Sequence, residues 1–217
     1  MQKSGFFGGL YVVCEWFMKL AYLNVLWILF SLLGLIVLGV APATTAMNTI
    51  IRQWFLGNDS IPIFKSFWIT YKAEFLRSNL FFVALTVIGF ILYIDFIFLS
   101  TLQGTWYMLF MTAFILFTFL YAVLLLFLLP VYVHYELEKG HEYFTQAIMI
   151  GLVNPIAIIG MVTSIVILIL LFAFIPASLL FFAASGFGIV TMGFSYITFK
   201  KIEEKVDINT TENEVKA

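Results

Sequence analysis

Charge is the scarcest property of this 217-residue chain. Asp, Glu, Lys and Arg together supply 11% of it, less than half of the roughly 25% that a soluble domain carries. Hydrophobic residues supply 63% and Phe alone occurs 26 times; the mean hydropathy is +1.08. That balance places the chain among membrane proteins. Net charge is −1, with no basic patch and no nucleic-acid motif, so nucleic acid is not an expected partner. The single cysteine, Cys14, excludes an intramolecular disulfide and a cysteine-built metal site, and reads as an inert apolar residue. No Ser-His-Asp set and no phosphate-binding glycine loop occurs. His141-Glu142 is followed by Tyr143-Phe144-Thr145 and so is not HExxH. No cofactor is expected, and the chain is not expected to be an enzyme.

Long uncharged runs are what the chain has in abundance. No charge occurs between Lys19 and Arg52, or from Tyr143 to Phe199. A helical span needs about 20 apolar residues, so the second run must hold two spans, divided at Ile175-Pro176-Ala177-Ser178. The pattern predicts an all-α polytopic helical bundle with five spans: Ala21–Val40, Asn79–Leu99, Trp106–Pro130, Ile156–Ile175 and Leu179–Phe199. Residues 1–19 predict a short amphipathic interfacial helix, with Glu15 and Lys19 in the favourable i, i+4 order; a leader cleaved near Ala41-Pro42-Ala43 is the alternative. Residues 1–200 form one transmembrane domain in this reading. Residues 201–217 form a polar tail without fixed structure.

The segment from Pro42 to Arg77 organises the rest. Ala43, Ala46, Met47, Ile50, Ile51, Trp54 and Phe55 recur at helical spacing opposite Thr44, Thr45, Asn48, Thr49, Arg52 and Gln53. Gly57 is placed to end that helix. Asp59 or Ser60 can cap the next one, with Pro62 in its first turn. Ile61, Phe64, Trp68, Tyr71 and Phe75 then line one face, with Lys65 and Lys72 on another. Trp and Tyr beside Lys suit the headgroup layer. Two amphipathic helices against the bilayer are expected, with Trp54, Phe64 and Trp68 as contacts to lipid or to a partner; a hairpin packed on the protein itself is the alternative. Tyr143–Val153, ended by Asn154-Pro155, predicts a further surface helix.

Few residues could carry chemistry. Asp95 lies inside the second span, where an ionised carboxylate costs about 2.5–3.5 kcal/mol on insertion scales. It is either a structural acid reaching water near Ser100 or an intramembrane proton or ligand site. His134, Glu138 and His141 could share a face on an unbroken helix and hold zinc. Gly140 interrupts that face, and a solvated loop has the same composition. Arg52, Lys65, Lys72, Arg77, Lys139 and the lysines after Phe199 put the long segments and the C-terminus in the cytoplasm by the positive-inside rule. Five spans then put the N-terminus outside; a re-entrant first segment would put it inside.

Gly39-Val-Ala-Pro42-Ala-Thr-Thr-Ala46, the Trp54…Gly57 turn, Phe64…Phe67-Trp68, and Leu129-Pro130…Asn154-Pro155 together resemble the YesL family of small bacterial membrane proteins of unknown function, over nearly the whole chain to about residue 200. The resemblance implies a bacterial cell membrane location. It also implies an accessory role in sugar uptake, since such proteins commonly accompany carbohydrate ABC importers; permease subunits would then be partners beside the lipid bilayer. The family brings no catalytic residues. The alternative is an autonomous transporter or channel acting as an oligomer, with Asp95, Asn24, Thr86, Thr112 and Thr163 as lining. A metal-dependent enzyme using His134, Glu138 and His141 is the third reading.

Overall fold

The computed structural model describes residues 6–216, with side chains described for residues 8–205. Eight helices and no strand occur among them: α1 (Phe6–Leu33), α2 (Val40–Phe55), α3 (Ile63–Ala73), α4 (Phe75–Leu99), α5 (Gly104–His134), α6 (Gly140–Val153), α7 (Pro155–Phe174) and α8 (Pro176–Lys216). Five are long and apolar enough to cross a membrane: Gly8–Leu33 within α1, all of α4, α5 and α7, and Pro176–Lys205 within α8. The expected all-α, five-span class is the one observed.

The first span is corrected. The expected interfacial helix and the span after it are one continuous helix, which also carries the expected Glu15–Lys19 pair at 2.9 Å. Lys3 lies outside the described residues. α1 ends at Leu33, well before Val40, because the chain reverses between Gly34 and Gly39. A Cβ on Gly34 would overlap the Gly39 backbone, and one on Gly39 would overlap the Ser31 carbonyl. Only hydrogen side chains permit that approach. The reversal carries Leu35 and Ile36 at φ +57° and +65°, a conformation costing about 1–2 kcal/mol per L residue.

Prolines set two further boundaries. Pro155 and Pro176 each open a helix, where the missing N–H would have had no helical partner. Both breaks were expected. Pro130, in contrast, does not end α5: it lies inside the helix, which runs one turn further to His134. α8 continues past Phe199 to Lys216, where the sequence suggested a tail without fixed structure. No Gly or Pro follows Gly193 to stop it.

Contacts divide the chain into two compact units, Met1–Phe75 with Thr163–Val190, and Leu76–Val162 with Thr191–Ala217. In the second, Val123, Phe127, Val131, Tyr143, Ala147, Met161 and Phe199 form the core. Gly151 lets α6 lie close on α5, since a Cβ there would strike Val123 and Phe127. α6 therefore turns Tyr143, Ala147, Ile150 and Gly151, spaced i, i+4, i+7, i+8, onto protein. The Tyr143 hydroxyl accepts from the Leu137 N–H at 2.9 Å, accepts from Arg77 Nη2 at 3.1 Å, and donates to the Leu137 carbonyl. That one hydroxyl ties the α5–α6 loop to the start of α4.

The reversal gives opposite outcomes for two neighbouring substitutions. Gly34→Ala should lower stability by about 1–3 kcal/mol, because backbone must move to admit the methyl. Ile36→Gly, at an exposed side chain, should raise it by up to about 1 kcal/mol through relief of the left-handed backbone. Thermal unfolding of both variants in one detergent checks the opposite signs.

Candidate functional site

Val40 to Ala73 is the region where the expected surface residues fall, and its local structure follows from its sequence. α2 starts immediately after Gly39. Pro42 sits in its first turn, where its missing N–H donor costs no bond within the helix. The Thr44 hydroxyl donates to the Val40 carbonyl at 2.6 Å and Thr45 to Ala41 at 3.1 Å; Thr44 also accepts the Trp27 indole N–H at 2.9 Å. The Ala-Thr-Thr-Ala stretch thus satisfies its own hydroxyls and anchors α1. At the other end Gly57 takes φ +87°. Its N–H reaches the Trp54 carbonyl and the Asn58 N–H reaches the Gln53 carbonyl, each at 3.0 Å. That is the Schellman stop expected of a glycine there.

The apolar stripe of α2 is the expected one, but it faces protein. Ala43, Ala46, Met47, Ile50, Ile51 and Trp54 are buried, and so are Thr45 and Asn48 on the side expected to be wet. Gly188 of α8 explains the second burial: its missing side chain leaves room for Met47, Ile51 and Asn48. Trp54, expected at the surface, is 5% exposed and stands edge-on to Trp16 with centroids 5.5 Å apart. For α2 the packed hairpin is what the structure contains.

α3 keeps an outward aromatic face. It begins after Pro62 without the side-chain cap expected from Asp59 or Ser60. Phe67 and Tyr71 are its buried residues. Both pack on Phe30 of α1, at 5.0 and 5.1 Å between centroids. The Tyr71 hydroxyl donates to the Phe30 carbonyl at 3.1 Å, and burial holds its phenol above the ordinary pKa. Phe64 and Trp68 touch Phe30 from the rim yet are 55% and 37% exposed. The Lys72 ammonium lies 4.7 Å over the Trp68 ring. Phe30 and Phe67, the residues that hold this face in place, were missed in the sequence because Phe30 lies within an apolar run and Phe67 lies off the chosen stripe.

The intramembrane polar residues are dispersed. Asn24, 1% exposed, bridges α8: its Nδ2 donates to the Leu180 carbonyl at 2.8 Å and its Oδ1 accepts the Ser185 N–H at 3.1 Å. Thr86 and Thr112 bond back to their own helices, and Thr163 is exposed. Asp95 is on an exposed face of α4, one turn from Leu99. His134 ends α5, whereas Glu138 lies in the loop and His141 in the first turn of α6. The unbroken helix that zinc binding required is therefore absent. His134 instead lies 3.3 Å from Glu203 and against Phe199. That same carboxylate, after burial, helps lift the Tyr135 phenol. Among the described residues no three His, Cys, Asp or Glu gather as a metal set.

Residues 20–96 match the family described as protein of unknown function, DUF624. Three uncharacterized proteins of Bacillus subtilis (strain 168) are similar over most of their length. YteU is 34% identical over 94% of this chain and 91% of its own. YesV is 35% identical over 93% and 97%, and YesL 32% identical over 91% and 92%. No solved structure matches the chain.

Tyr71→Phe should cost about 0.5–1.5 kcal/mol at neutral pH, the net worth of its hydrogen bond. The folded phenol titrates above its ordinary 10.0, so the wild type keeps its stability below that pH and loses it as pH rises further. The Phe variant should show a smaller alkaline loss, since the raised Tyr135 phenol remains, and thermal midpoints measured from about pH 7 to 11 would show the difference. Asn24→Leu should cost more, about 1–3 kcal/mol, because it strips partners from buried α8 backbone.

Proposed function

Since this chain belongs to the YesL-like family DUF624, we propose that it is a non-enzymatic accessory protein of the bacterial plasma membrane that docks on permease subunits of a carbohydrate ABC importer. The observation that carries this reading is the outward face of α3. Phe64 and Trp68 are large, exposed and rigid, because they lean on the same Phe30 ring that holds the buried Phe67 and Tyr71. Aromatic residues on a braced helix lose little freedom on binding, which is why Trp and Tyr recur as interface anchors. Lys65 and Lys72 flank them and favour an acidic or polar partner rim. The gene company implied by the YesL resemblance supplies the direction toward sugar uptake. The lysines that follow the last apolar stretch, Lys200, Lys201 and Lys205, support a cytoplasmic C-terminus, and α3 would then lie on the same side.

Affinity purification of the tagged chain from its native membrane in mild detergent tests the proposal. Permease subunits should co-purify with the wild type. Their recovery should fall about tenfold or more in a Phe64→Ala, Trp68→Ala double variant, since each anchor is worth about 1–2 kcal/mol. Recovery that persists in the variant would move the contact elsewhere, and recovery of this chain alone would end the accessory reading.

A further inference from the structure

Trp16, Ile51, Trp54, Phe55 and Ile189 line an open cleft of 320 Å³ in the first unit, formed by α1, α2 and α8. Pockets of this size hold one small ligand or a segment of a chain molecule. Its walls are apolar throughout except for indole. The Nε1–H of Trp54, in one of those walls, is buried with no acceptor among the described residues. A buried donor of this kind is rarely left unmade. The Lys19 ammonium lies 5.2 Å over the Trp16 ring at the edge of the cleft, paired with Glu15. The slot thus joins an apolar lining to one buried, unmade donor.

We propose that this cleft is a binding site for a single glycerophospholipid. An acyl chain fills the space between the two indoles and Ile189. An ester carbonyl accepts the Trp54 N–H after a small movement of the ring, and the headgroup lies at the open mouth of the cleft. Two features favour this occupant over a sugar. The lining has one buried unmade donor, so the several hydroxyls of a sugar would lose water without gaining partners. The slot is open, and a membrane-embedded chain meets acyl chains at high local concentration. The site lies apart from the exposed face of α3 and does not depend on what that face binds.

The test is a titration of the detergent-solubilised full chain with phosphatidylglycerol brominated in its acyl chain, read as quenching of Trp emission. The chain has five tryptophans, so the diagnostic quantity is the saturable component. The wild type should show one saturable site, unchanged in Trp68→Phe. Trp54→Phe keeps an aromatic ring but removes the N–H and the second ring of the indole; it should weaken binding about three- to tenfold, at least the worth of one hydrogen bond. Ile189→Phe, which fills the slot, should abolish the saturable part while circular dichroism and thermal midpoint remain those of the wild type. Quenching that rises linearly without saturation would overturn the proposal. So would a saturable component that survives Ile189→Phe, or one reproduced at equal affinity by a brominated alkyl maltoside lacking ester and phosphate.

Discussion

A polar group that enters a membrane-spanning segment must find its partner within the protein, because lipid offers none. The first unit is arranged by that requirement. Asn24 spends both ends of its carboxamide on the α8 backbone, at Leu180 and Ser185. Trp27 gives its N–H to Thr44, and Thr44 gives its hydrogen to Val40. Tyr71 closes on the carbonyl of Phe30. Apart from the Thr44–Val40 bond within α2, each of these bonds joins elements that apolar packing alone would leave free to slide. Apolar contact is non-directional, whereas a buried carboxamide left half made costs about 1–3 kcal/mol. Asn24, one of the polar residues that look like a pathway in the sequence, acts here as a fastener.

Glycine and large aromatic residues divide the remaining work. Gly34 and Gly39 let the chain reverse within a few residues, Gly188 admits Met47, Ile51 and Asn48, and Gly151 seats α6 on α5. Around these close approaches the aromatics fill volume: Phe30 serves four rings of α3, and Tyr143 contacts Phe81 and Tyr132. Small residues where backbones meet and large ones beside them are the common solution where no water drives helices together.

What stays outward is therefore informative. The exposed apolar surfaces of α4 and α7 suit lipid, but α3 is too short to span and carries lysines. Its exposed Phe64 and Trp68 are braced from behind, which lipid contact alone does not require. The slot between Trp16 and Trp54 is different in kind: it is concave, bounded by three helices, and contains a donor awaiting an acceptor.

The sequence by itself determined the class, the number of spans, the breaks at Asn154-Pro155 and Ile175-Pro176, the stop at Gly57 and the apolar stripe of α2. Those features rest on local chemistry: run length, the missing N–H of proline, and the φ freedom of glycine. It also determined kinship, because the Gly39–Ala46 motif and its companions occur as a set. Tertiary structure decided what each stripe faces. Helical periodicity marks an apolar side but does not distinguish lipid from protein, so α2, α6 and Trp54 pointed toward the bilayer on paper and turn inward in the fold. It decided that α1 is one helix, since the reversal at Gly34 depends on Gly39 reaching it through space. It dispersed His134, Glu138 and His141 because the helix they needed ends at His134. Asn24 became a fastener for the same reason: its partners are about 160 residues away along the chain, and long-range pairing of a carboxamide leaves no trace in local pattern.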